Sequence, residues 1–274
     1  MNKTVIKWVL AIVITLAAAA YQRATGPTHP MRGHVLLGQQ ETVKYALPRS
    51  HGGEGGQTVT LTIPDTSVHA VLHFKRFKVQ ENWQTIPMQR HGAKLSAELP
   101  HQPPAGKLEY FITLKKGNST ITVPAKNSVV IRYKGFVPPY VLAPHILLMF
   151  LSMLFANYAG LEALFNGPDI KKYTIITVAI LFLGGMIMGP IVQKLAFGAY
   201  WTGVPFGFDL TDNKTLIAFV FWLIAWWRVA QSGPQKGRWW VVLAFIVMLL
   251  VFLIPHSMMG SELNYQTMKV ETGG

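Results

Sequence analysis

Five apolar runs and one long polar block divide the sequence. One apolar run lies near the N-terminus at 5–20, and four fill the C-terminal half at 141–165, 173–195, 216–229 and 239–255. A membrane-spanning helix needs about 20 mainly apolar residues. The pattern therefore predicts a membrane α-helical bundle, with an N-terminal anchor helix in 1–20 and four transmembrane helices in 139–274. Residues 21–138 form a large domain outside the bilayer.

The first run has two interpretations. Lys3 and Lys7 followed by WVLAIVITLAAAA fit a signal anchor that stays in the protein, and they also fit a secretory signal that is removed. Both interpretations export the domain that follows. We favour the uncleaved helix.

Basic residues near the runs predict the orientation. Lys3 and Lys7, Lys171 and Lys172, and the group Arg228, Lys236 and Arg238 fall on one side when the runs are threaded as spans, whereas 197–213 contains no Lys or Arg. Loops rich in Lys and Arg stay in the cytoplasm. We expect a bacterial-type inner membrane, a cytoplasmic N-terminus, and an extracytoplasmic (periplasmic) β domain and C-terminal tail.

The outer domain is predicted to be all-β. Apolar and polar residues alternate at 58–63 and 68–74, and further strands are expected at 108–114, 120–123 and 129–133. Short strands separated by Pro and Gly are typical of an antiparallel β-sandwich. The stretches WQTIPMQR (83–90), LSAELP (95–100) and GKLEYFI (106–112) make residues 36–134 resemble fibronectin type III-like or immunoglobulin-like domains. That resemblance implies a fold and contacts with other proteins, and no chemistry.

Composition narrows the classes of function. Half of the residues are hydrophobic, 14% are charged, and there is no cysteine, which excludes disulfides, thiolate metal sites and thioether-linked haem. The net charge is +13, and 21–138 alone holds 15 Lys and Arg against 6 Asp and Glu. This charge suits contact with anionic lipid headgroups. No basic run interleaved with aromatic residues supports a nucleic-acid partner.

Two histidines are candidate ligands for a metal or haem. His145 follows Pro144 at the outer start of the second run, and His256 follows Pro255 at the outer end of the fifth. Two imidazoles with methionine sulfur nearby suit copper or axial haem ligation. The candidate set is His145, His256, Met258, Met259, Asp212 and Glu262. The alternative is that both histidines cap helix ends or bond to loop backbone.

Three carboxylates near the runs have structural and functional interpretations. Asp209 is expected to cap the fourth helix, and Asp212 is a further capping residue, a ligand or a proton acceptor. Glu162 lies near the inner end of the second run, where an interfacial position beside Lys171 and Lys172 is favoured over proton transfer.

No catalytic motif is recognisable, so this chain is not expected to be catalytic on its own, and whether it belongs to an enzyme stays open. We expect an integral membrane subunit of an envelope or respiratory-type complex, with other membrane or periplasmic proteins as partners. The alternative is a redox or metal protein in which His145 and His256 hold haem or copper. A stand-alone transporter is disfavoured because the runs contain almost no charge and no inverted repeat.

Overall fold

The protein combines a β-sheet-rich domain with four helices that are long and apolar enough to cross a membrane. A computed structural model describes residues 3–37, 41–255 and 260–272. His256, Met258 and Met259 of the predicted ligand set lie outside the described residues.

The helices follow the predicted apolar runs. Helix α1 spans Lys3–Thr25 and α2 spans Pro139–Leu164. Helices α3 (Ile170–Leu181) and α4 (Gly189–Phe197) are joined by a π-helical segment, Phe182–Met188, and together make one long apolar element. The fourth long element is α5, Leu210–Leu253.

Helix α5 is folded back on itself. A straight helix of 44 residues would extend about 66 Å, far more than a bilayer core. Its regular geometry is broken at Gly233, which has φ 79° and ψ 160°, a conformation that glycine adopts readily, and Pro234 follows. The first and last turns of α5 lie side by side: the Lys214 ammonium near the start donates a hydrogen bond of 2.7 Å to the carbonyl of Ile254 at the end. Residues 210–232 and 234–253 are therefore two antiparallel arms.

Helix α1 is packed into the helical bundle by polar and aromatic contacts. Lys7 forms a buried ion pair with Glu162 of α2, and Thr15 accepts a hydrogen bond of 2.8 Å from the Asn157 amide. The Trp8 ring stacks on Tyr158 with centroids 4.1 Å apart. Glu162 is thus buried, and its partner is Lys7 rather than the expected Lys171 or Lys172.

Within the described residues, eleven strands form the outer domain. They are β1 (Met31–Leu37), β2 (Glu41–Leu47), β3 (Ser50–Gly52), β4 (Gln57–Thr62), β5 (His69–Arg76), β6 (Gln84–Pro87), β7 (Gln89–His91), β8 (Lys94–Leu99), β9 (Lys107–Lys116), β10 (Ser119–Val123) and β11 (Val129–Lys134). One sheet has the order β3-β11-β9-β5-β6, with β10 also paired to β9. A second sheet has the order β4-β8-β7, and β1 pairs with β2.

The sheets bury one common apolar core. Buried positions of β4, β5, β8 and β9 alternate with less buried ones. The alternation predicted at 58–63 and 68–74 is thus found in β4 and β5, and the buried side chains join a single cluster that includes Leu61, Leu72 and Ile112. The five predicted strands are confirmed to within about two residues at each end. The shared core is compatible with the predicted sandwich.

The C-terminal tail is a β-hairpin that was not predicted from the sequence. Strand β12 (Ser261–Asn264) pairs with β13 (Lys269–Thr272), and the N–H of Leu263 donates to the carbonyl of Ala105 in the outer domain. The hairpin lies where the outer domain meets the ends of the helices.

Candidate functional site

A buried polar network lies between the outer domain and the adjacent helix ends. We call it the polar joint; its members are Gln193, Thr202, Asp209, Asp212 and Ser261. Gln193 is on α4, Thr202 is in the loop before α5, the two aspartates begin α5, and Ser261 begins β12. The joint therefore connects 193–212, which holds the end of α4 and the start of α5, to the C-terminal hairpin, whose Ser261 is 52 positions from Asp209.

Asp209 caps α5 and binds the C-terminal hairpin at the same time. One carboxylate oxygen accepts the N–H of Thr211 at 2.8 Å, which confirms the predicted N-cap. The other oxygen accepts the N–H of Ser261 at 2.7 Å and its hydroxyl at 2.9 Å. Asp209 is only 3% exposed, so these hydrogen bonds replace water around its charge.

Asp212 holds the preceding loop against α5. Its Oδ2 accepts the N–H groups of Thr202 and Gly203 at 2.7 and 3.0 Å, and the Gln193 amide donates to the same oxygen at 3.0 Å. These three hydrogen bonds offset part of the cost of burying the carboxylate. The geometry assigns Asp212 to shaping this loop.

Arg132 links the outer domain to the joint. It lies on β11, its guanidinium stacks 3.8 Å from the Phe197 ring centroid, and it donates a hydrogen bond to the carbonyl of Ser261. Burial lowers its pKa to about 10, although the charges of Asp209 and Glu262 oppose that change. Its Nε is buried and has no hydrogen-bond partner within the described part of the chain.

The C-terminal hairpin binds the outer domain through Glu262 and Tyr265. Glu262 forms ion pairs with Lys107 at 2.7 Å and Lys78 at 3.5 Å. The Tyr265 hydroxyl accepts the N–H of Lys107 at 3.0 Å and lies 3.0 Å from the Gln102 amide oxygen. Burial raises the pKa of Tyr265 to about 12.

His145 is held by the π-helical segment. Its Nδ1 lies 3.0 Å from the carbonyl oxygen of Gly184, so Nδ1 carries the proton and donates. The same carbonyl accepts the N–H of Gly189, a bond five residues long that is characteristic of a π-helix. The partner is the backbone of a helical segment rather than the loop backbone of the alternative, and Nε2 is left to accept a hydrogen bond.

A cavity of about 730 Å³ opens below the outer domain. Its wall includes His145 and apolar residues of the half of α2 nearest the β domain, Gly185 and Gly189, and Arg132 and Lys134 of β11. Asp209, Asp212 and Gln193 of the polar joint also line it. Its volume is within the range of small-molecule binding pockets.

The predicted ligand set is only partly brought together. His145 and Asp212 line the same cavity, whereas Glu262 faces the lysines of the outer domain. Among residues 3–37, 41–255 and 260–272, no three His, Asp or Glu side chains converge as metal ligands. Because His256 lies outside these ranges, its predicted approach to His145 stays a prediction.

The sequence analysis missed Arg132, Thr202, Ser261 and Gln193. The strand pattern gives no signal for Arg132, because it alternates with Ile131 and Tyr133, which face the β core, and its burial on the opposite face comes from Phe197 and Ser261. The other three are ordinary polar residues whose roles depend on contacts distant in sequence. No protein-family model matches the chain, and no curated protein does.

Proposed function

We propose that this protein is an integral membrane scaffold, which holds its β domain in one fixed orientation above the helices for contact with partner proteins. The observation that carries the proposal is the double attachment of the C-terminal hairpin. Its Ser261 binds Asp209 of α5, and its Leu263, Glu262 and Tyr265 bind the outer domain. One element therefore fixes both parts.

A second attachment supports the same proposal. The N–H of Gly135 donates 2.9 Å to the carbonyl of Ala196 at the end of α4, directly before the proline-containing hinge 136–140. With Arg132 stacked on Phe197, β11 contacts the helices before its chain enters α2. A domain tied at several points loses little further freedom when a partner binds.

We infer a topology with five crossings and the β domain in the extracytoplasmic space of a bacterial-type inner membrane. The helix ends near Gln22, Ala196, Lys214 and Ile254 are joined by hydrogen bonds on the side of the β domain. Lys7 and Glu162 meet at the other ends of α1 and α2. The basic groups around Lys171 and Lys236 then lie in the cytoplasm.

Cysteine substitution tests the topology in the full chain, which has no native cysteine. Lys126 and Lys236 are both exposed. Lys126→Cys should react with a membrane-impermeant maleimide on intact spheroplasts, and Lys236→Cys should react only after lysis. The reverse pattern would contradict the proposed orientation.

Partner retention tests the scaffold itself. The full chain, gently solubilised from its native membrane, should migrate as a larger complex, and Asp212→Ala should release partners while the variant stays in the membrane. Asp169→Ala is the matched control, because Asp169 also precedes a helix but makes no side-chain capping bond. A wild-type chain that runs alone would overturn the scaffold proposal.

A further inference from the structure

The cavity below the outer domain has two chemically different ends. The end nearest the β domain, called the upper end, is formed by polar backbone and side chains of that domain, including Arg132 and Lys134. Its lower part is formed by apolar side chains of α2, including Ile146 and Phe150. A site with this division is suited to a ligand that is itself amphipathic.

The upper end carries cations whose charge is incompletely offset. Arg132 and Lys134 are two residues apart on β11, so their side chains leave the strand on the same face. Arg132 is 6% exposed, and its Nε lacks a partner within the described residues. The pKa of Lys134 is lowered by burial and then by the positive charge of Arg132.

The acidic residues of the cavity are already engaged. Asp209 accepts hydrogen bonds from Ser261 and Thr211, and Asp212 accepts them from Thr202, Gly203 and Gln193. Among the described residues, no ion pair joins either carboxylate to Arg132 or Lys134. Arg132 already donates to the Ser261 carbonyl, but its Nε has no acceptor among the described residues, so an anion near β11 would supply one there and would also pair with the Lys134 ammonium.

The apolar wall has the length of one membrane leaflet. The cavity follows one face of α2 from Leu142 to Met153, a rise of about 16 Å at 1.5 Å per residue. Half of a typical hydrocarbon core is about 15 Å. Ile146 and Phe150 line the cavity and are 45% and 44% exposed, so this wall is open rather than enclosed by protein.

We propose that this cavity binds an anionic lipid, with the phosphate of its headgroup at Arg132 and Lys134 and one acyl chain along α2. The bilayer supplies the ligand through the face that contains Ile146 and Phe150. The phosphate accepts hydrogen bonds from both cations, and the chain occupies the space beside Gly185 and Gly189.

Native mass spectrometry of the delipidated full chain tests the site, with lysophosphatidic acid as the probe. Lysophosphatidylcholine is the zwitterionic comparison, and inorganic phosphate is the chain-free competitor. We expect lysophosphatidic acid to bind one to one, lysophosphatidylcholine to bind much more weakly, and phosphate to leave the bound lipid in place.

Charge variants locate the headgroup. Lys134→Gln should weaken binding of lysophosphatidic acid by about tenfold, the loss expected for one charge-assisted hydrogen bond. Lys126→Gln removes an exposed lysine of the β10–β11 loop that does not line the cavity, and it should bind like the wild type. Arg132 is not used for this test, because it also holds Phe197 and Ser261.

Cavity variants locate the chain. A side chain at Gly189 would enter the cavity with only ordinary contacts, the nearest being 3.7 Å to the Gly184 carbonyl oxygen, so Gly189→Leu should block the site. If that variant does not fold, Ile146→Ser provides a polar wall at an exposed position and should also weaken binding.

The outcomes separate the possible sources of phosphate. Equal binding of the two lysolipids, or no binding of either, would overturn the proposal. Displacement of the probe by inorganic phosphate, together with unchanged binding by both cavity variants, would identify a free-phosphate site and also overturn it. These measurements do not depend on partner proteins, so their failure would leave the scaffold proposal standing.

Discussion

The outer domain and the helical bundle are built around opposite kinds of core. In the β domain, the buried cluster consists of large side chains such as Leu61, Leu72 and Ile112. In the bundle, alanine supplies many of the buried positions, including Ala156, Ala159 and Ala163, beside a few large side chains such as Trp222, whereas many other large apolar residues face outward. A surface of that kind is suited to contact with lipid.

This contrast reflects two different driving forces. The hydrophobic effect in water stabilises the core of the β domain, and close packing between helices stabilises the core of the bundle. Burial of apolar area drives the β domain together. In a bilayer that force is absent between helices, so small residues allow close approach and buried polar pairs add specificity. The polar pairs of the bundle, Lys7 with Glu162 and Thr15 with Asn157, fit this explanation.

The largest expected effect comes from breaking the buried ion pair. Glu162→Leu leaves the Lys7 ammonium buried without its partner, and should destabilise the bundle by about 3–5 kcal/mol. The measurement is denaturant unfolding of purified protein in detergent micelles, followed by tryptophan fluorescence. Glu54→Leu, at an exposed loop position, is the control and should change little.

A second substitution sharpens this test. The double variant Lys7→Met with Glu162→Leu removes both charges and should recover most of the lost stability. If the single and double variants are equally unstable, the pair is not the reason for the loss.

A leucine comparison tests the two cores directly. Leu72→Ala empties a fully buried position of the β core and should cost about 2–5 kcal/mol. Leu147→Ala, at a residue 60% exposed on α2, should cost less than about 0.5 kcal/mol. Thermal unfolding of both variants in the same detergent gives the answer, and similar losses would contradict the assignment of Leu147 to the lipid face.

Removal of a joint carboxylate should have an intermediate effect. Asp212→Ala leaves the buried N–H groups of Thr202 and Gly203 without their acceptor, which costs about 1–3 kcal/mol locally. Hydrogen–deuterium exchange should become faster in the loop 198–208 and stay unchanged in the β core. Asp169→Ala should leave that loop as it is in the wild type.

The parts that the sequence predicts are those with a local physical cause. Alternation places Leu72 and Ile112 inside because the side chains of a strand alternate between faces. The capping role of Asp209 is predictable because an aspartate directly before an apolar helical run is a common N-cap residue. Apolar length identifies the helices without any knowledge of their packing.

The remaining contacts depend on how distant segments meet. Lys7 and Glu162 are separated by 155 positions, and only the rotation of α1 against α2 brings them together. Ser261 enters the joint because a short hairpin folds back onto α5, and four-residue strands carry little pattern. The predicted site at His145 and His256 also requires two distant segments to approach each other, and His256 lies outside the described residues.

The smallest expected effect is a titration at the interface between the hairpin and the outer domain. Burial raises the pKa of Tyr265 to about 12, so the folded state favours the neutral hydroxyl. An exposed tyrosine titrates near pH 10. The stabilising contribution of Tyr265 is complete below that pH and is lost as the pH rises through about 12.

Tyrosinate absorbance measures this titration. The difference between the wild type and Tyr265→Phe should be one ionisation centred near pH 12. A difference centred near pH 10, the usual tyrosine value, would show an exposed hydroxyl and an undocked hairpin.

A distance measurement between the two regions tests the central claim most directly. Spin labels at Lys126→Cys on the outer domain and Leu147→Cys on α2 occupy exposed positions in a chain without native cysteine. Pulsed electron–electron resonance in lipid nanodiscs should give one narrow distance distribution, which broadens when Asp209→Ala removes the acceptor for Ser261. A broad distribution already in the otherwise unmodified chain would show that the β domain moves freely, and would contradict a scaffold with one fixed orientation.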